Sequence, residues 1–206
     1  RAAAFGHYAR TSDLEHPELT PFAGMPLGGY KYRMHQLSSA VGRTQIKRYD
    51  ERMAEIQRAM NHFWDLLEGV PGVRAHRPPA DSGSTMGGWY AAKGLYASEE
   101  LGGLPVERFC AAVTAEVGSY KIMPGANPLM HLHPVLNDAD IYGHGQPTRI
   151  ANSDRDLRQR EGSLPVTESL PGRVYSIPWF KHHDAEIIAQ YATAFRKVAE
   201  HAETLQ

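Results

Sequence analysis

The 206-residue chain has 42% hydrophobic and 22% charged residues, an ordinary globular composition that excludes global disorder. Its 22 Lys and Arg balance 23 Asp and Glu for a formal net charge of -1, which leaves no basic excess for binding nucleic acid. No apolar stretch approaches the roughly 20 residues that span a bilayer, so we expect no membrane partner. The single cysteine, Cys110, cannot form an internal disulfide and favours a reducing cytoplasm.

The N-terminal third of the chain predicts a loop followed by a long helix. Residues 1–33 are rich in Gly, Pro and His and predict a loop-dominated lead-in, and the absence of a methionine or signal peptide at Arg1 predicts an excised piece. From residue 34 to 67, apolar side chains recur mostly at gaps of three or four, which predicts one long amphipathic helix. Gly42 lies where a bend would cost least, and Pro71 and Gly72 end the helix.

The remaining elements predict a small sheet flanked by helices. Further helices are expected from Pro105 to Gly118 and, with Asp184 as N-cap, along an apolar stripe at 187–205. Residues 124–163 keep no period, which is typical of a functional or mobile region. The fold class is therefore α/β, an α+β domain in which the helices at 37–67 and 187–205 flank one sheet. Strands are predicted at 73–77, 89–97, 120–123 and 174–177.

His131 and His133 form a candidate metal pair. On a strand this spacing places both rings on one face, and His144, His182 or His183 could complete a zinc site. No H-E-x-x-H motif or cysteine cluster accompanies the pair. We therefore favour the alternative, in which one ring packs or bonds locally and the other lines a cleft, and predict no metal.

Three further groups have a structural interpretation that outweighs a functional one. Cys110 lies on the apolar side of its helix, which favours packing over nucleophilic chemistry. The Gly- and Ser-rich segment at 82–88 lacks the Walker lysine and favours a hairpin tip. Residues 181–183, Lys-His-His before a helix, could meet an anion but are more simply solvated.

The segment at 27–50 is the most informative stretch. It reads L-G-G-Y-K-Y-R-M-H-Q-L-S-S-A-V-G and runs on into Q-I-K-R-Y-D. Physically it is a glycine turn that presents Lys31 and Arg33 before a long helix, where the two cations could hold an anion or could be solvated.

This segment resembles the G-Y-x-Y-R-M segment of the DegT/DnrJ/EryC1/StrS aminotransferases, which use pyridoxal phosphate (PLP) and have the aspartate aminotransferase fold. Residues 128–134, P-L-M-H-L-H-P, resemble the family's P-L-H-L-Q-P segment. Residues 164–178, L-P-V-T-E-S-L-P-G-R-V-Y-S-I-P, resemble its P-V-A-E-x-L-x-x-R-V-L-S-L-P segment. The three segments occur in the family's order.

The resemblance implies that catalytic residues lie outside this sequence. In the family, the Schiff-base lysine and the aspartate beside the pyridine nitrogen precede the G-Y-x-Y-R-M segment. We therefore expect residues 34–206 to be the C-terminal small domain, with a long connecting helix and a small antiparallel sheet, and residues 1–33 to lead in from a missing large domain. No lysine of this chain is expected to be catalytic.

The resemblance also implies binding residues and partners. Family members are dimers with active sites built from both subunits, and many have Asn at the position of Lys31, reaching the neighbour's cofactor phosphate. Lys31 and Arg33 are therefore the expected cofactor-binding residues, and Arg33 and His131 the expected substrate-binding residues.

The sequence thus predicts part of a cytoplasmic, homodimeric PLP-dependent aminotransferase. Its substrates would be an amino acid donor and a keto sugar or related cyclic ketone, and the piece alone would be inactive. Two alternatives stay open: a non-catalytic homologue or dimerisation and ligand-binding lobe, and a histidine-based metal hydrolase.

Overall fold

The computed structural model describes residues 34–145, 147 and 153–206, and the chain divides into two compact units, 1–51 and 52–206. Of the first unit it shows helix α1 (Gln36–Ile46) and the first turn of α2 (Tyr49–Leu66). None of the helices in the described ranges has the length and apolarity needed to cross a membrane.

The prediction of a single long helix over 37–67 is wrong, because the helix is interrupted between α1 and α2. The backbone N–H of Arg48 bonds to the carbonyl of Gln45, three residues back instead of four. The apolar stripe lapses at the same place, since Thr44 and Gln45 occupy the positions one turn after Val41. Gly42 lies inside α1 and does not mark the break.

The second unit is built around one aromatic core. The ring of Phe195 lies 5.5 Å from Phe63, 6.0 Å from Phe109 and 5.9 Å from Tyr175, measured between centroids. These rings come from α2, from α3 (Val106–Val117), from α6 (Ala185–Glu200) and from the sheet. The residues from 52 onward therefore confirm that the helices at both ends of this unit pack with one small sheet.

Three short antiparallel strands form the sheet in the order β1 (Val73–Ala75), β2 (Lys93–Tyr96) and β3 (Val174–Ser176). Lys93 pairs with Ser176, and Leu95 pairs with Val174. Between these elements lie two short helices, α4 (Pro134–Asn137) and α5 (Pro165–Ser169). Single 3-10 turns span Ser98–Leu101, Met130–Leu132, Leu170–Gly172 and Ala202–Leu205.

Two predicted strands are corrected. The strand expected at 89–97 begins only at Lys93, because Trp89 and Ala91 have φ values of 55° and 50°, in the left-handed region that a strand does not use. The strand expected at 120–123 does not form: the hydroxyl of Thr114 accepts the N–H of Ile122 at 3.0 Å, which draws this backbone towards α3. Only an isolated bridge from Pro124 to Tyr175 remains.

The predicted helix starts agree with the structure more closely than the predicted strands do. Asp184 caps α6 as expected, since its Oδ1 accepts the N–H groups of Glu186 and Ile187, both at 3.1 Å. Pro105 is the N-cap of α3 instead of its first helical residue.

Candidate functional site

A cavity of about 860 Å³ lies against the face of the sheet that is turned away from the aromatic core. Its wall is mostly apolar, with a few polar side chains, which is the usual character of a small-molecule site. It is lined by Lys93, Gly125, Ala126, Asn127, Pro128, Leu129, Met130, His131, Leu157, Gln159, Leu164, Thr167, Leu170 and Val174.

Strand alternation explains which residues reach the cavity. Successive side chains of a strand point to opposite faces. Gly94 and Tyr175 are buried on the core side, whereas Lys93 and Val174 line the cavity on the other. The tight packing of Gly94 against the Tyr175 ring, 2.3 Å from where a Cβ would stand, admits only glycine at this core position.

Gly125 brings a second backbone segment close to the sheet beside the cavity. Its N–H donates to the carbonyl of Val174 at 2.7 Å. A Cβ at this position would lie 2.7 Å from the carbonyl carbon of Tyr175, 2.8 Å from the nitrogen of Ser176 and 3.1 Å from Cδ of Lys93. The segment that begins at Gly125 can therefore approach the sheet only because this residue has no side chain.

His131 and Glu168 form a pair at the cavity wall. The imidazole is 6% exposed, and its Nε2 lies 2.9 Å from Oε1 of Glu168. The same carboxylate accepts the backbone N–H of Leu164 at 3.0 Å and of Gly162 at 2.7 Å. These bonds from Leu164 and Gly162, followed by the bond from His131, lower the pKa of Glu168 below its usual range.

The ionised carboxylate of Glu168 determines which nitrogen of the His131 ring is a donor and which is an acceptor. Because Glu168 can only accept when ionised, Nε2 of His131 carries the proton in this bond. In the neutral ring, Nδ1 is then a hydrogen-bond acceptor. The pair therefore fixes the orientation of an imidazole that lines the cavity.

The side chain of Asn137 connects two segments that line the cavity, one at His131 and one at Gln159. It is buried, its Nδ2 donates to the carbonyl of His131 at 2.7 Å, and its Oδ1 accepts the N–H of Gln159 at 3.4 Å. The backbone at His131 and the cavity-lining residue Gln159 are thus held by one amide side chain.

The two histidines considered as a metal pair are not brought together on a strand. His131 lies in a 3-10 turn, whereas His133 is the N-cap of α4 and its Nδ1 accepts the N–H of Val135 at 3.1 Å. In the described part of the chain, no three His, Cys, Asp or Glu side chains form a group that could hold a metal ion. The alternative interpretation expected one ring to bond locally and the other to line a cleft: the ring of His133 makes the local bond, and His131 lines the cavity.

The other candidates have structural partners. Cys110 is buried among apolar side chains, and burial raises the pKa of its thiol to about 12, as expected for a packing residue. Ser82 and Ser84 lie in the β1–β2 connection, where the hydroxyl of Ser82 donates to the carbonyl of Pro79 at 2.7 Å.

The basic run before α6 is also engaged. Lys181 lies 4.7 Å above the ring of Trp179, and His182 contacts Glu55 at 3.3 Å. Nε2 of His183 lies 3.1 Å from Nδ1 of His62. Lys31 and Arg33 lie outside the described residues.

Sequence reasoning missed Lys93, Glu168 and Asn137. Glu168 stands in a segment that carried the family resemblance, and this was the one available signal for it. Lys93 had no such signal, because nothing in the sequence shows which face of β2 it occupies.

The profile of the DegT/DnrJ/EryC1/StrS aminotransferase family matches residues 9–170, more than three quarters of the sequence. The chain belongs to this family. Comparison with curated protein sequences gave no match. The family match includes the first two segments that carried the resemblance and the start of the third, residues 164–170.

Two solved structures share the fold. A crystal structure of DesI in the presence of its TDP-sugar product has 19% identity and a TM-score of 0.60, covering 98% of this chain and 43% of that one. DesV from S. venezuelae, in complex with a ketimine intermediate, has 20% identity and a TM-score of 0.56, covering 90% of this chain and 45% of that one. The chain thus spans less than half the length of these enzymes.

The described lining of this cavity does not include all the residues that a PLP site needs. Such a site needs a lysine for the Schiff base and a charged partner for the pyridine nitrogen. The cavity offers one ammonium, that of Lys93, whose Nζ donates to Oγ of Ser176 at 3.1 Å. Neither Asp nor Glu is among the described lining residues.

Proposed function

We propose that this chain is the C-terminal part of a PLP-dependent aminotransferase that moves an amino group from an amino acid to a keto sugar or related cyclic ketone. The family match over residues 9–170 supports the reaction class. The observation that carries the proposal is the cavity beside the sheet, whose wall includes His131 from one family segment, fixed by Glu168 from another.

In this proposal, residues 34–206 form the small C-terminal domain and residues 1–33 lead in from the large domain. PLP, when bound in such an enzyme, supplies the electron sink for the transfer. The described residues contribute a substrate-binding wall: its larger part is apolar, and the Glu168 carboxylate orients the imidazole of His131. In this proposal the Schiff-base lysine belongs to the large domain.

The similar solved structures support a sugar-like ketone as the acceptor of the amino group. DesI was crystallised with a TDP-sugar product, and both structures share their fold with this chain across at least 90% of its length. A volume of about 860 Å³ is within the range of pockets that hold drug-sized ligands. A ring ketone therefore fits the space that the described residues provide.

The proposal can be tested with the full-length protein that contains this sequence. It is purified with PLP and incubated with amino acids that carry isotope-labelled nitrogen and with a panel of keto sugars and cyclic ketones. Mass spectrometry should find the label in a product amine. Stoichiometric PLP without any transfer across the panel would favour the non-catalytic homologue instead.

Lys31 and Arg33 are proposed to serve the active site of the neighbouring subunit. Two cations that closely follow Gly28 and Gly29 in the sequence suit a cofactor phosphate or an acidic substrate. A subunit lacking the Schiff-base lysine is mixed with a subunit carrying Lys31→Ala and Arg33→Ala, each nearly inactive alone. Recovered activity in verified heterodimers supports the arrangement between subunits, and unrecovered activity refutes it.

A further inference from the structure

Lys93 gives the cavity a formal positive charge. Among the described lining residues it is the one Lys or Arg, and none is Asp or Glu. The rest of the wall is mostly apolar, so a charge there is exposed to less water than one on an open surface. The described lining residues therefore include one cation and no carboxylate.

No carboxylate in the described part of the chain forms an ion pair with Lys93. Two carboxylates on the segments that build the cavity are already engaged. Glu168 accepts hydrogen bonds from two backbone N–H groups and from His131. Asp156, which precedes the lining residue Leu157, is held by the guanidinium of Arg158 at 2.7 Å.

The ammonium of Lys93 also keeps donor capacity. Its described hydrogen bond goes to the hydroxyl of Ser176 at 3.1 Å. An ammonium has three N–H donors, so two remain for a ligand. An anion that enters the cavity would meet a cation whose charge no carboxylate among the described residues neutralises.

The side chain is held in place before a ligand arrives. Lys93 and Ser176 are directly opposed on adjacent strands. The neighbouring pair, Ala92 and Ile177, is hydrogen-bonded, since the N–H of Ile177 donates to the carbonyl of Ala92. Hydrogen-bonded and non-hydrogen-bonded pairs alternate along antiparallel strands. The pair at Lys93 is thus a non-hydrogen-bonded pair, in which side chains lie close together. Gly125 packs against the stem near Cδ. A preordered side chain loses less conformational freedom when it binds.

We propose that Lys93 makes this cavity an oxyanion subsite that receives a carboxylate or phosphate group. The identity of the ligand rests on the proposed function, in which the amino donor carries a carboxylate and a sugar nucleotide carries phosphates. Asn127, Gln159 and Thr167 line the same cavity and supply neutral polar atoms for the rest of such a ligand.

The test is calorimetric titration of the full-length protein that contains this sequence with three separate probes: glutamate, inorganic phosphate and thymidine diphosphate. At least one probe should bind saturably, and its affinity should fall as salt is added. Lys93→Met should weaken that binding about tenfold or more, as expected for a lost charge-assisted contact. Lys121→Met, which changes an exposed lysine away from the cavity, should leave binding unchanged.

The probe that binds best shows whether the subsite takes a carboxylate or a phosphate group, because glutamate offers carboxylates and the other two probes offer phosphates. Absence of saturable binding by all three probes, or equal binding by Lys93→Met and the unaltered chain, overturns the proposal. If circular dichroism shows that Lys93→Met is unfolded, Thr167→Trp replaces it: filling the cavity should abolish binding, and Val166→Trp at the adjacent exposed position should not.

Binding is measured here without turnover, so the two proposals can fail separately. A protein that binds no oxyanion but transfers the amino group would refute only the role of Lys93. A protein that binds the anion through Lys93 but transfers nothing would refute only the proposed activity.

Discussion

Nε2 of His131 lies 2.9 Å from Oε1 of Glu168, although 37 residues separate them in the sequence. This contact connects the 3-10 turn at Met130–Leu132 to helix α5, and both segments line the cavity. The backbone N–H groups of Gly162 and Leu164 converge on the same carboxylate. One ionised side chain thus organises one side of the candidate site.

The stability that Glu168 provides should depend on pH. Its pKa is lowered in the folded chain from an ordinary value of 4.5, so its contribution is complete above that value and is lost as pH falls through the folded pKa. Glu168→Gln should therefore lower the urea midpoint near neutral pH. The difference from the unaltered chain should shrink as the pH falls below 4.5.

The control is Glu161→Gln, which neutralises an exposed carboxylate nearby. It should leave the urea midpoint nearly unchanged at each pH. A Glu168→Gln difference that stays constant or grows on acidification would show that the carboxylate does not stabilise the fold through its charge.

Two buried tyrosines should respond in opposite directions to loss of the hydroxyl. The hydroxyl of Tyr175 is buried and has no hydrogen-bond partner among the residues that the structure describes, so Tyr175→Phe should raise the free energy of unfolding by about 1 kcal/mol. The hydroxyl of Tyr96 donates to the carbonyl of Leu104 at 2.8 Å, so Tyr96→Phe should lower it by about 1 kcal/mol. Urea denaturation measures both, and changes of the same sign would contradict this description of the core.

Gly125 should tolerate a side chain poorly. Gly125→Ala places a Cβ within 2.8 Å of backbone atoms of β3 and should lower the free energy of unfolding by about 1–3 kcal/mol. Gly172→Ala is the matched control, because open space surrounds its Cβ position, and it should change stability by less than about 0.5 kcal/mol. Equal effects of the two substitutions would show that close approach at Gly125 does not limit packing.

Periodicity predicted the helices of the second unit well, because the residues that form the stripes of α3 and α6 are also those that pack in the core. Phe109 and Phe195 are both fully buried. The break between α1 and α2 is visible in the sequence only as a lapse in the stripe after Val41. It was overlooked because the stripe resumes from Tyr49 with the same spacing.

The cavity could not be predicted from local patterns, because its residues come together only through tertiary structure. The late start of β2 depends on left-handed residues around Trp89, whose Nε1 donates to Gln57 on α2 at 3.0 Å. The position of Lys93 on the cavity face depends in turn on the register of β2 against β3. Family resemblance indicated His131, but the contact with Glu168 required the fold.

The most direct test of the account is transfer of labelled nitrogen by the full-length protein with the cavity filled. Thr167 lines the cavity, whereas its neighbour Val166 is 78% exposed and does not line it. With an active donor and ketone pair, Thr167→Trp should lower kcat/KM for transfer at least about tenfold, and Val166→Trp should change it less than about twofold. Equal activity of the two folded variants would contradict the claim that this cavity is part of the substrate site.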